Sequence, residues 1–380
     1  MVRPTKKTRV AALGLVASPP ALHLLEDADF PGLVGPGIDD MPQDFQEFYD
    51  FEERSPVLPT RNKIYVVPVG LEAAALLPHH AGVPLPTPKE IAAYLTAFTS
   101  LAHVILPPLE IAAWDEDGKG TKGKGKGKKG PSYLAVKTAT DSLVRVRTRK
   151  PSDNEFSVSL HCWDVLDGLA ESLPDDAFCI LGLTTFDIHE DDSVVCGRAF
   201  GGSRIAIVSL ARYHPNFVEE HEWPALKSSS RSGKGGPLLA AARAAIAQLP
   251  PYPTTPLQLT ALWAQRTAVT AMHELGHCLG MDHCLHFDCF MGENDGQAPY
   301  ACPVCLKKLL CAVHPEDDTL GNDPVFALQH YRRVESYCAG RPGVLLWEAL
   351  RVWAHGRAER CGGGGDGVEG AGAEGDPYVL

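Results

Sequence analysis

The stretch "HELGHCLGMDHCLHFDCFM", residues 273–291, places His273, His277 and His283 in one short run, with Glu274 beside the first of them. The segment that leads into it, "LQLTALWAQRTAVTAMHELGHCLG" (257–280), reads as one long helix, with Pro256 just before it and Gly280 as its breaker. His273 and His277 are four apart on that helix, so both imidazoles project from one face at a separation that a single zinc ion bridges. Gly280 permits a positive φ, and three residues later His283 can swing back under the metal. Three neutral nitrogen donors leave a fourth position for water, the open coordination of a catalytic zinc rather than the closed shell of a structural one. A chance occurrence of this spacing in a chain with 15 histidines is roughly a one-in-a-thousand event.

Cysteines follow at once. Cys284 and Cys289, then Cys302 and Cys305 of "CPVC", form two pairs with short internal spacings, which suits tetrahedral thiolate coordination of a second, structural zinc. A pair of disulfides is the rival arrangement. Cys278, Cys311 and Cys338 have no partner at ligand spacing and read as buried helix residues. His286, inside the first cysteine pair, is not needed where four thiolates complete the shell.

Outside this region the chain sets the bounds. Its 380 residues can bury a substantial core, and 11 cysteines concentrated between Cys278 and Cys311 argue for metal ligation in a reducing compartment. A cytoplasmic or nuclear protein is expected, with a cleaved presequence at the basic, apolar N-terminus as the alternative. The net charge of −12 argues against phosphate-backbone binding, so no nucleic-acid partner is expected. No apolar run reaches the roughly 18 residues of a membrane span, so no membrane partner is expected either, and the chain is expected to be a monomer.

Residues 1–61 carry no sustained period and read as a loosely ordered extension. "KIYVVPVG" (63–70), the helical spacing of "PTPKEIAAYLTAFTSL" and a second buried strand in "AHVILPP" then make a β-α-β unit. "LVRVRTR" reads as a half-exposed strand, "HCWDVLDGLAESL" as a helix, "AFCILGLTTFDI" as a buried strand and "GGSRIAIVSLARY" as a strand with a polar outer face. The low-complexity stretches 115–130 and 227–236 read as solvated insertions. Helical stretches follow the histidine motif, with a C-terminal helix over 341–360 and a disordered glycine-rich acidic tail over 361–380.

His-Glu-x-x-His-x-x-Gly-x-x-His resembles the metzincin zinc peptidases, and the following Cys284, Cys289, Met291, Cys302 and Cys305 are similar to one branch of them, the archaemetzincins. The gap between Met291 and Cys302 is shorter than in that family. The resemblance covers about residues 62–340. It implies an α+β catalytic domain with a mixed twisted sheet, an antiparallel edge strand, a long active-site helix and a helical C-terminal subdomain. It also implies a zinc metallopeptidase acting on peptide or protein substrates, with Glu274 as general base and then acid, and Met291 as an apolar floor. Two zinc ions per chain are expected: a catalytic one on His273, His277 and His283, and a structural one on Cys284, Cys289, Cys302 and Cys305. The segment "RIAIVSL" (204–210) is the candidate edge strand for an extended peptide. The competing reading is a catalytically silent zinc-binding interaction module.

Overall fold

The computed structural model describes residues 11–13, 43–71, 82–114, 132–153, 155–216, 237–250, 253, 255–293, 297–341 and 343–362. Both low-complexity insertions, most of residues 1–42 and the tail from 363 onward lie outside the described residues. Helix α1 (Phe45–Asp50) is started by a capping box: Asp44 accepts from the Glu47 N–H while Glu47 accepts from the Asp44 N–H. Residues 43–61 were expected to be loose, yet Phe45, Phe48 and Val57 are buried in the main core. An amphipathic turn of helix with two phenylalanines on one side is too short to show a period in sequence, and it gains its order by docking.

Beyond Lys63, strand β1 (Lys63–Val69) is apolar and buried because it is covered on both faces, as a central parallel strand must be. Ile64 and Val66 face one core, and Tyr65, Val67 and Val69 face a second. Helix α2 (Pro88–Thr99) follows, with Thr87 and Glu90 forming its capping box and Pro88 in its first turn. Strand β2 (Ala102–Ile105) then pairs parallel to β1. It is not the buried strand that its sequence suggested. It forms the sheet edge, with Ala102 and Ile105 exposed, because β1 already takes its other partner from further along the chain.

Strands β3 (Ile111–Ala113), β4 (Ser132–Lys137), β5 (Leu143–Arg149) and β6 (Ser159–His161) come next, then helix α3 (Cys162–Ala170), the fully buried strand β7 (Ala177–Thr184), and strands β8 (Asp187–Glu190), β9 (Ser193–Val195), β10 (Gly197–Ala199) and β11 (Ile205–Ser209). They make two sheets: a five-stranded one in the order β10-β11-β7-β1-β2 and a six-stranded one in the order β3-β4-β5-β6-β8-β9. In the first, β2, β1, β7 and β11 are parallel and β10 alone runs antiparallel. The second sheet mixes antiparallel pairs with one parallel pair, β6 with β8. The architecture is therefore mixed α/β with two mixed sheets.

The segment expected to be the free edge, residues 204–210, is instead interior. Strand β11 lies between β7 and β10 and is almost wholly buried, without the expected polar face. The reason is the tight turn at residues 200–204, where Gly202 takes a positive φ of 69° and the chain folds β10 back outside β11.

Helices α4 (Pro237–Ile246) and α5 (Pro256–Cys278) follow, then α6 (Pro303–Val313), α7 (Pro324–Ala339) and α8 (Leu345–Gly362), against which α4 packs. Helix α5 begins with Thr255 and Gln258 in a capping box and Pro256 in the first turn. From Leu262 through Gly276 every residue is buried, so this helix runs through the protein rather than along its surface. It packs on one face of the five-stranded sheet beside α2, while α3 covers the other face with Val165, Leu166 and Leu169. The C-terminal helices join the same core, with Trp347 of α8 packed 5.0 Å from Tyr94 of α2.

Candidate metal centres

Helix α5 ends where the chemistry collects. His273 and Glu274 are buried on its last turns, the C-cap is Leu279, and Gly280 adopts a φ of 85° that turns the chain back. The turn carries His283 beneath the helix, with its ring 5.3 Å from that of His273 and 5.0 Å from that of His277. The ligand atoms of all three histidines lie within 4.8 Å of one another. The structure thus brings together the three histidines that the sequence singled out.

Their tautomers are set by the backbone. Nδ1–H of His273 donates to the Phe290 carbonyl at 2.8 Å, and Nδ1–H of His277 donates to the Met281 carbonyl at 2.8 Å. Both Nε2 lone pairs then point at each other across 3.1 Å. Two acceptors at that distance repel unless a cation lies between them, and nitrogens on a tetrahedral zinc are about 3.3 Å apart. Burial holds His273 well below the usual imidazole value and His277 down at about 4, with the neighbouring imidazoles adding to the effect. The rings are therefore neutral donors near pH 7, the form that ligates a metal.

Glu274 points away from this cluster towards β10. It takes a hydrogen bond from the Ala199 N–H, and burial pushes its carboxyl up to about 8, against the opposing influence of Arg198. Its carboxylate occupies the space where a side chain at Gly197 would begin. Below the helix, Met291 is fully buried against Gly276, where there is likewise no room for a methyl group. The motif spelling does not reveal the parts played by Gly197, Gly276 and the two backbone carbonyls. The Gly197 contact joins segments far apart in sequence, and the others arise from how the turn after the helix folds back, which the motif's spacing does not spell out.

The second cluster lies behind the first. The thiols of Cys284, Cys289, Cys302 and Cys305 are buried and lie within 4.8 Å of one another, and all four cysteines are free, which rules out the disulfide arrangement. Cys284 and Cys302 are 3.7 Å apart, as are Cys289 and Cys305. Sulfurs on a tetrahedral zinc with bonds of about 2.3 Å are separated by about 3.8 Å, so the donor set fits that ion without rearrangement. Hydrogen bonds from the other three thiols hold Cys284 well below the ordinary thiol value, while burial pushes Cys289 well above it. A divalent cation is what stabilises four buried thiols together as thiolates. Cys302 also caps α6, accepting from the Cys305 N–H at 3.4 Å. Cys278, Cys311 and Cys338 are buried on helices and stand outside both clusters.

These two clusters define the class: a chain with an open three-histidine centre beside a buried carboxylate and a closed four-cysteine centre behind it. No family model matches the chain. It is homologous to the archaemetzincins. Archaemetzincin-2 of Homo sapiens is 26% identical over 281 residues, covering 72% of this chain and 65% of that protein. Archaemetzincin-1 of Homo sapiens is 30% identical over 175 residues, covering 42% of this chain and 32% of that protein. The chain thus spans less than two thirds of the length of the curated relatives it matches. Among solved structures, archaemetzincin from Methanopyrus kandleri is 16% identical and covers 66% of this chain and 94% of that one, at a TM-score of 0.34, too low to carry a structural argument. Among the described residues no helix is long and apolar enough to cross a membrane.

Proposed function

We propose that the chain is a zinc-dependent metallopeptidase, with His273, His277 and His283 holding a catalytic zinc and Glu274 serving as general base and then general acid. One observation carries this reading: the buried carboxyl of Glu274, next along the helix from the first of three converging imidazoles, is held against β10, the outermost strand of the sheet among the described residues. A chain that needed zinc only for stability would have no use for a desolvated glutamate there, since burying a carboxyl without a task costs stability. Homology to the archaemetzincins supports the same choice.

Zinc bound by the three imidazoles would supply Lewis-acid polarisation of the scissile carbonyl and acidify an attacking water. The positive charge of a bound zinc would favour the ionised form of Glu274 against the effect of burial; as a carboxylate it takes up the proton of that water and later delivers it to the leaving amine, which frees the new N-terminus. Strand β10 holds the peptide. Cys196 and Phe200 direct their main-chain groups inward to β11, so by strand alternation Gly197 directs its own outward, where an extended chain can pair, while the Ala199 N–H is taken by Glu274. Met291 serves as the apolar floor beneath the ligands. In the same reading Cys284, Cys289, Cys302 and Cys305 hold a second, structural zinc, and residues 62–340 form the catalytic unit.

The test is to incubate the zinc-loaded chain and its Glu274→Ala variant with a diverse peptide mixture and identify products by mass spectrometry. Cleavage by the unmodified chain alone is expected, with zinc retained by both. Cleavage by neither, with zinc present at the histidines, would leave a zinc-binding interaction module as the better description.

A further inference from the structure

Gln43 lies just ahead of α1, buried between α6 and the turn that carries His283. Its Nε2 donates to the Gly280 carbonyl at 3.1 Å, and its Oε1 accepts from the Asp282 N–H at 3.2 Å. Lys308 of α6 donates to that same Oε1 at 2.8 Å and to the Gln43 main-chain carbonyl at 2.7 Å. Lys308 is itself buried, and it follows Cys305 by three residues, less than one helical turn from a ligand of the cysteine centre. A single side-chain amide therefore connects the histidine turn to the cysteine helix.

The turn has need of such a partner. Once Gly280 leaves the helix at positive φ, its carbonyl and the Asp282 N–H fall outside the helical hydrogen-bond ladder, and main-chain groups at a buried turn must be paired some other way. A side-chain amide, with its donor and acceptor on separate atoms, donates to the first and accepts from the second at once. Nearby, the stem of Arg54 fills the space beside Gly280, so the arm packs against the turn on both sides. His283 comes one residue after Asp282, so a shift in this turn carries its ring with it.

We propose that Gln43 is a positioning residue for the histidine metal centre: it fixes the 280–282 turn, hence the place of His283, and through Lys308 keeps that turn in register with the cysteine helix. The proposal rests on the reading of the three histidines as metal ligands. Residue 43 belongs to an arm that precedes the first strand of the sheet, and sequence spacing gives it no connection to the motif.

The experiment is a Co2+ titration of the metal-free full chain, unmodified and as Gln43→Met. Thiolate-to-cobalt charge transfer reports the cysteine centre, and the remaining ligand-field bands report the histidine centre. Gln43→Met removes both polar side-chain atoms at nearly equal length and leaves the Lys308 bond to the main-chain carbonyl, so the arm keeps its tether. Affinity at the histidine centre is expected to fall about 10-fold or more, the usual consequence of losing a group that orients ligands, while the cysteine centre and the melting temperature stay near those of the unmodified chain. Gln43→Glu keeps the acceptors for Asp282 and Lys308 and loses only the donor to Gly280; a smaller loss confined to the histidine centre is expected, and this variant carries the test should Gln43→Met not fold. Histidine-centre affinity within twofold of the unmodified chain in both variants would overturn the proposal, as would equal losses at both centres. No cobalt at the histidines of the unmodified chain would overturn the metal reading as well, an outcome separable from a Gln43 effect because it needs no variant.

Discussion

Glu274 and Gly197 are in contact: the carboxylate of one fills the volume that a Cβ on the other would take. The contact joins the helix that carries Glu274, the proposed proton acceptor, to the strand that would hold the peptide. Gly197→Ala should therefore push Glu274 from its place while leaving all three histidines untouched. With geometry lost at the reacting group, kcat/KM should drop about 100-fold, with zinc content unchanged. Steady-state kinetics and metal analysis on the same preparation check this. Full activity in the variant would show that the position of Glu274 against β10 is not used.

Gly276 and Met291 give a second steric prediction. Gly276→Ala should raise helix propensity but drive a methyl into the buried Met291 side chain, so overpacking of about 1–3 kcal/mol should outweigh a gain of up to about 1 kcal/mol. In a Met291→Ala background the same change should cost far less, because the obstructing atoms are gone. Denaturation curves for the four members of this cycle decide it. Additive effects would mean the two residues are not coupled.

The two metal centres should fail in different ways. Elemental analysis should find two zinc ions in the unmodified chain and one in either His273→Ala or Cys305→Ala. Only the cysteine variant should melt at a clearly lower temperature, because a closed thiolate shell contributes folding energy and an open one serves the reaction. A larger loss of stability in His273→Ala than in Cys305→Ala would reverse the assignment.

A pH dependence follows from His330, which is remote from both clusters in sequence. It is buried, its Nδ1–H donates to the Phe98 carbonyl at 2.9 Å, and burial, aided by Arg333, pushes it down to about 3. Its unfolded value is about 6.5. As pH falls below that, the unfolded chain takes up the proton first, so the stability owed to neutral His330 is complete above about 6.5 and declines as pH falls towards 3. Melting temperatures at pH 7.5, 6.0 and 5.0 should therefore fall less steeply in His330→Gln than in the unmodified chain. Parallel slopes would remove His330 from the account.

The convergence of His273, His277 and His283 was legible in sequence because the helix period and one glycine turn bring them together by local geometry, and that of the four cysteines because of their paired spacings. Strands β1 and β7 were legible as well, because an unbroken apolar run has little else to be. The outer strand was not: β10 is three residues long and shows no strand pattern of its own, so only the hairpin at Gly202 reveals that it lies outside 204–210. Strand β2 misled in the opposite sense, since apolar residues occur on sheet edges too. Residues 43–61 lacked a period to read because their order comes from what they dock against, and the six-stranded sheet is built from short strands whose pairing is long-range.

The brevity of β10 has a consequence for behaviour at high concentration. An exposed row of main-chain donors and acceptors invites any extended segment, including one from a neighbouring molecule, and long flat borders of this kind nucleate fibres. Here the border is three residues long, bears the positively charged Arg198 at its centre and stops at a turn. In the proposed reading a single strand of peptide would find enough length to be gripped at its reacting bond, whereas a second sheet would find too little to stack against.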